Sequence, residues 1–311
     1  MQKIAVVQES PILLQRDKTI EMAVGLVEEA AEGGAELVVF PEAFISGYPA
    51  WIWRLRPGSD WGISEELHVR LSNSSVDIDN NELSPLCEAA QKNKITIVCG
   101  LNERDGRHGG GTIYNTVVII GEDGSILNRH RKLMPTNPER MVWGFGDGSG
   151  LNVVDTAVGK VGTLLCWENY MPLARYALYS QGIEVYVAPT YDSGDGWLGT
   201  MQHIAREGRC WVIGAGVALT RDDLPSDFPE KGSLYPDTGN WINAGDSLVV
   251  APGGGIVAGP MREEKGLLFA EIDSGCVASS KRALDVAGHY SRPDVFTLNV
   301  NTQPQSPVKF K

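Results

Sequence analysis

A chain of 311 residues with a formal net charge of −12 excludes a nucleic-acid partner, because affinity for a phosphate backbone comes largely from Lys and Arg that displace counterions. No apolar run reaches membrane-spanning length, and the first eight residues lack a basic region, an apolar stretch behind it and a cleavage site, so a cytoplasmic protein with no membrane partner is expected. The five cysteines Cys87, Cys99, Cys166, Cys210 and Cys276 are widely spaced and form no CxxC pair or Cys/His cluster; neither a metal site, a cofactor nor a disulfide framework is indicated.

In chain order, residues 3–8 are a short β-rich run. Residues 16–32 show helical periodicity through Ile20, Ala23, Val24, Leu26 and Val27, and 36–40 form a second β run, which makes a βαβ opening. A helix over 83–92 precedes a strand over 95–101, and runs at 114–121 and 125–129 flank Glu122-Asp123-Gly124 as a hairpin. The second half repeats the theme: strand 161–165, helix 173–181, strand 185–188, helix 198–208, strand 210–217, with strands 247–251 and 266–272 closing it. The glycine-rich stretches 109–111 and 252–255 are short enough to be turns, and nothing reads as a linker. One domain over 1–296 with a tail over 297–311 is expected, of α/β class with helix layers covering a mixed sheet.

Chemistry enters where these elements end. Cys166 stands where the run 161–165 stops and a Pro-started helix is predicted; unpaired amides and the positive end of a helix dipole would favour a thiolate there. The run Glu36-Leu-Val-Val-Phe-Pro-Glu42 ends in a carboxylate, and Arg131-Lys132 supplies a cation at the end of the hairpin. Taken singly, the three read as a buried inert thiol, a solvated loop acid and surface charge. The words around them are longer than that: Phe-Pro-Glu-Ala-Phe at 40–44, Arg-Lys-Leu-Met-Pro-Thr at 131–136 and Cys-Trp-Glu-Asn at 166–169.

These words resemble the Glu–Lys–Cys triad of the nitrilase superfamily of carbon–nitrogen hydrolases, and further similar stretches at 137–149, 203–212 and 285–294 extend the resemblance from Lys3 to about Phe296. The Cys-Trp-Glu word and the glycine-rich loop over 143–150 resemble the true nitrilase branch rather than the amidase and carbamoylase branches. The resemblance implies a four-layer αββα sandwich and a homodimer or larger homo-oligomer. The helical stretch 173–180 is the expected pairing face, unless Tyr176 and Tyr179 pack on the chain's own sheet.

The expected reaction is hydrolysis of a small-molecule nitrile to the carboxylic acid and ammonia. Cys166 attacks to form a thioimidate and later a thioester, Glu42 is the general base, and Lys132 with the backbone N–H of Trp167 stabilises the anionic intermediates. Iron- or cobalt-dependent nitrile hydration uses closely spaced cysteines that this sequence lacks, so the chemistry is expected to be covalent and metal-free. The resemblance gives Glu139 the part of a second Glu orienting the Lys and the water; the alternative is a surface pair with Arg140. Glu168 reads as structural, and His130 as a packing or capping residue. Aromatic stretches at 44–53 and 189–192 are expected to wall the pocket, with Tyr48, Thr190 and Tyr191 touching substrate; Trp51 and Trp53 read equally as pocket wall or as lid or core residues. Amidase, N-carbamoyl hydrolase and cyanide-hydrolysing activities remain as alternatives, as do aliphatic, arylaceto and aromatic nitriles. A noncatalytic binding protein has no evident use for the base, cation and thiol together.

Overall fold

The computed structural model describes residues 1–106, 110–236, 239–306 and 308; Gly109 of the expected turn, and positions 307 and 309–311 of the expected tail, lie outside the described residues. Strand β1 (Gln2–Gln8) alternates its side chains: Ile4 and Val6 point to one apolar cluster, Ala5 and Val7 to another. Helix α1 (Arg16–Glu32) follows and buries Ile20, Ala23, Val27 and Ala30, a stripe at three- and four-residue spacing. Strand β2 (Leu37–Val39) then pairs parallel to β1. Helices α2 (Trp61–Ser74) and α3 (Ser84–Asn93) lead to β3 (Thr96–Arg104), parallel to β2, and β4 (Ile113–Ile120) and β5 (Ile126–Arg131) complete a meander.

The second half begins with β6 (Val154–Thr156) and β7 (Gly159–Thr163), then α4 (Pro172–Tyr179), β8 (Val185–Thr190), α5 (Asp195–Gly208) and β9 (Trp211–Gly216). Short β10 (Ala218–Thr220) and α6 (Lys231–Leu234) precede β11 (Trp241–Val250), β12 (Ile256–Arg262), β13 (Gly266–Ile272) and α7 (Cys276–Lys281). Strand β13 returns to pair antiparallel with β1, giving a first sheet ordered β13-β1-β2-β3-β4-β5. The second sheet runs β10-β11-β9-β8-β7-β6, with β12 on β11.

The layers follow from side-chain alternation. Leu37, Val39, Val98 and Val117 of the first sheet meet Val161, Val185, Val187 and Ile213 of the second in one apolar seam. The other face of the first sheet packs on α1 and α3 through Val38, Ile97, Ala23 and Leu86. The other face of the second packs on α4 and α5 through Tyr186, Val212, Leu178 and Ile204. This is the expected four-layer αββα sandwich. Each sheet has three neighbouring parallel strands, β1-β2-β3 and β7-β8-β9, with antiparallel strands outside them. Two antiparallel steps turn β5 back to the direction of β3, so β2 and β5 end on the same edge.

Three expectations need correction. The Pro-started helix is present as α4 from Pro172, whose missing N–H suits a first helical position, but a five-residue 3-10 turn, Cys166–Tyr170, separates it from the thiol, which does not sit at its N-terminus as expected. Helix α2 was not foreseen, because only Leu67, Leu71 and Ser74 of its fourteen residues are buried and the apolar stripe is narrow. Tyr179 of the expected pairing face is buried on its own sheet beside Tyr186, with ring centroids 6.4 Å apart, which leaves Leu173 exposed and Tyr176 partly so.

Candidate active site

Glu42 sits three residues beyond β2. The loop lies so close to β3 that a Cβ on Gly100 would come 2.3 Å from the Pro41 carbonyl and 2.9 Å from Glu42 Cα, so glycine is needed there. The Glu42 carboxylate is buried. Its Oε1 accepts Lys132 Nζ and Asn115 Nδ2, each at 2.7 Å, and its Oε2 accepts the Tyr191 amide at 2.8 Å.

Lys132 follows β5 and is fully buried. Strand alternation sends its neighbour Arg131 to the rim, over the Tyr114 ring at 3.9 Å and onto Glu103 and Asp105. The Lys132 backbone is fixed on both sides, its amide donating to Asn115 O and its carbonyl accepting from Gly146 N, both at 2.8 Å. A Cβ on Gly146 would come 2.1 Å from Arg131 O, the close approach that the glycine-rich loop makes possible.

Glu139 lies in the 3-10 turn Asn137–Met141, where its side chain closes a capping box with Thr136. Its Oε2 accepts Lys132 Nζ at 2.7 Å and Thr136 N at 2.6 Å, and its Oε1 accepts the Tyr48 hydroxyl at 2.7 Å. The alternative pair with Arg140 does not form; Arg140 donates to the Pro135 carbonyl instead.

Cys166 is buried and held at φ 48°, a left-handed conformation that costs a non-glycine residue strain. Thr190 Oγ1 donates to its sulfur at 3.3 Å, and Asn169 Nδ2 to its carbonyl at 2.7 Å. The turn's own bonds start with Glu168 donating to Leu165, so the Trp167 amide stays outside them. Glu168 joins the two sheets' ends: it accepts Leu165 N at 2.7 Å, Leu133 N at 2.6 Å and His130 Nε2 at 3.1 Å. The side chain next to the thiol therefore clamps the segment that carries Lys132.

Charge behaves differently here from the sequence expectation. Burial, then the Glu42 carboxylate, push the Cys166 thiol well above its ordinary range, and Lys132 offsets only part of this. Burial and the facing carboxylate thus oppose the helix-dipole stabilisation of a thiolate that the sequence suggested. Burial also raises Glu42, against the pull of Lys132. Burial alone would lower Lys132, but Glu42 and the other acidic groups around it hold the ammonium above its ordinary range.

Of these groups Glu139 and Cys166 line a cavity of about 270 Å³, together with Tyr48, Trp53, Trp167 and Tyr191 among others. Tyr48 and Tyr191 stack at 3.9 Å, and Trp53 Nε1 donates to the Tyr48 hydroxyl at 2.9 Å. Trp51 is core, packed near Phe228, whereas Trp53 lines the cavity. Thr190 does not line the cavity; it reaches the sulfur from behind. A larger open cavity of about 800 Å³ lies along α5 near His203 and Gly254 and touches none of the site residues. Asn115 was missed by sequence reasoning, although a lone amide in the apolar strand Ile113–Ile120 was a signal.

The family model described as carbon-nitrogen hydrolase matches residues 3–282. An aliphatic nitrilase of Sinorhizobium fredii is 41% identical over 98% of this chain and 97% of its own length. A bifunctional nitrilase/nitrile hydratase of Lupinus angustifolius is 42% identical over 99% of this chain and 88% of its own. Among solved structures, a carbon-nitrogen hydrolase from Helicobacter pylori superposes with a TM-score of 0.70 at 22% identity, covering 91% of this chain and 93% of that one.

Proposed function

The chain belongs to the carbon-nitrogen hydrolase family, and on that premise we propose that it is a nitrilase, converting an organic nitrile to the carboxylic acid and ammonia. The observation that carries the reading is the buried chain Glu42–Lys132–Glu139, whose Glu139 lines one small cavity together with Cys166, in a sequence about as similar over its whole length to named nitrilases as those percentages record.

A nitrile carbon is a weak electrophile, and a buried neutral thiol is a weak nucleophile. Glu42 removes the thiol proton as the C–S bond forms, and that proton passes to the nitrile nitrogen, giving a thioimidate. Lys132, kept protonated by its two carboxylates, and the Trp167 amide face the developing negative charge. A water molecule deprotonated by Glu42 adds to the thioimidate carbon; the tetrahedral intermediate expels ammonia and leaves a thioester. A second water repeats the addition, the C–S bond breaks, the acid departs and the thiol regains its proton. If the first tetrahedral intermediate breaks C–S instead of C–N, the product is the amide, the outcome that the name of the Lupinus relative includes for that protein. Glu139 orients Lys132 through Oε2 and is itself set by Tyr48.

Five free thiols fit the reducing, cytoplasmic setting expected of the chain, and the exposed Leu173 beside Tyr176 offers a small twofold contact for self-association. A panel of nitriles and amides read by ammonia release tests the activity: turnover of nitriles supports it, and turnover of amides with no nitrile hydrolysed overturns it.

A further inference from the structure

Three carboxylates, Glu42, Glu139 and Asp192, stand around the place where substrate meets Cys166, against the single ammonium of Lys132. Glu42 and Glu139 take both short bonds of that ammonium. Asp192 has no such partner. Its Oδ2 accepts the Trp167 indole N–H at 2.8 Å and its Oδ1 the Ser193 amide at 2.9 Å, and no Lys, Arg or His among the described residues pairs with it.

Asp192 lines the cavity, only partly exposed. Its own amide donates to Thr190 Oγ1 at 2.8 Å, and that hydroxyl donates to the Cys166 sulfur at 3.3 Å, so Asp192 is anchored two hydrogen bonds from the nucleophile. Among the described residues the lining contains no cationic side chain; it is aromatic at Trp53, Trp167 and Tyr191 and apolar at Ile242. A partly desolvated carboxylate with neutral hydrogen-bond donors but no counter-charge is best matched by a cation brought in by the ligand. An ammonium would donate a charge-assisted hydrogen bond to Asp192 and lie among the Trp53 and Trp167 rings. A ligand carboxylate would meet like charge on entry.

We propose that Asp192 selects substrate charge, favouring small nitriles that carry an ammonium group on the chain beyond the nitrile carbon over neutral isosteres and over anionic nitriles. This rests on the nitrilase reading, and the test separates the two. 4-Aminobutyronitrile, its neutral isostere pentanenitrile and the anion 4-cyanobutanoate are compared for protection of Cys166 against iodoacetamide, followed by mass spectrometry, in the wild type and in Asp192→Asn, which keeps an acceptor for Trp167.

Half-protection is expected from the ammonium nitrile at a concentration at least tenfold below that of pentanenitrile, with the anion weakest. That ratio should fall towards one in Asp192→Asn and be largely kept in Asp192→Glu. Equal protection by the isosteric pair in the wild type, or a ratio that survives in Asp192→Asn, overturns the assignment. Ammonia is measured in the same wild-type samples: no release from any nitrile while the protection ratio holds refutes nitrile hydrolysis and leaves the cation site standing.

Discussion

The two sheets bring their functional residues to one crevice by different means. At the end of the first, Glu42 and Lys132 are held by charge and by amide donors: Lys132 Nζ bridges two carboxylates, and Asn115 and the Tyr191 amide complete Glu42. At the end of the second, Cys166 carries no ion pair and is held by a left-handed backbone, a hydroxyl and an amide. The difference follows from what each side must do. A base and a cation have to keep their protonation states while buried, which only paired charges allow, whereas a thiol needs only to be aimed. Glu168 crosses this divide: it follows Cys166 on the second sheet's side and accepts Leu165 N there, while its other partners, His130 and Leu133, lie in and just beyond β5 of the first.

Breaking either side should remove the reaction. Cys166→Ala, Glu42→Gln and Lys132→Ala should each lower kcat by about a thousandfold or more, and any pair of them should cost little beyond one alone, because residues that act as a unit are non-additive; ammonia release by variants with unchanged circular dichroism checks this. Cutting the bridge should cost stability as well. Glu168→Ala leaves His130 and two amides without their acceptor and should destabilise by about 3–5 kcal/mol in urea unfolding, the range for a broken buried pair.

The sign with pH is fixed by direction. Burial would raise Glu168, yet His130 and the two amides hold it below its ordinary range. Its stabilisation is therefore complete above the ordinary Glu range and fades as pH falls through its lowered folded value, so stability of the Glu168→Ala protein should fall less steeply on the acid side.

A smaller change sharpens the contrast on the first sheet. The Asn115 bond opposes the raised Glu42 value, so Asn115→Ala should move the acid limb of kcat/KM to higher pH; an unmoved limb would mean that Glu42 is not the titrating base. On the second sheet the counterpart is mild. Thr190→Val removes a bond that helps the thiolate and should slow turnover by roughly two- to tenfold, the scale of one hydrogen bond, with slower alkylation of Cys166 at fixed pH.

What the sequence made legible was what local pattern encodes. The β-rich runs 3–8 and 36–40, the stripe in α1 and the three words around Glu42, Lys132 and Cys166 are local, and each led to an element or a candidate site residue near its observed place. What it hid depends on distance in the chain. The Glu42–Asn115 bond joins positions 73 apart and the Tyr48–Glu139 bond 91 apart, and no spacing rule relates them. The forces opposing a thiolate were hidden for the same reason: a helix N-terminus is a local inference, but the desolvation and the facing carboxylate that raise Cys166 are tertiary. Strand β11 was foreseen only in its last part because Asn243, Gly245 and Asp246 interrupt its apolar alternation while pairing with β10 and β12 at shifted register.

The account stands on Cys166 as the atom that bonds to carbon, and mass spectrometry of enzyme quenched during nitrile turnover tests that directly. An acyl or imidoyl adduct confined to the peptide containing Cys166, and missing from Cys166→Ala, is the predicted result. An adduct on Cys87, Cys99, Cys210 or Cys276, or full turnover with Cys166 unmodified at every quench time, would contradict it.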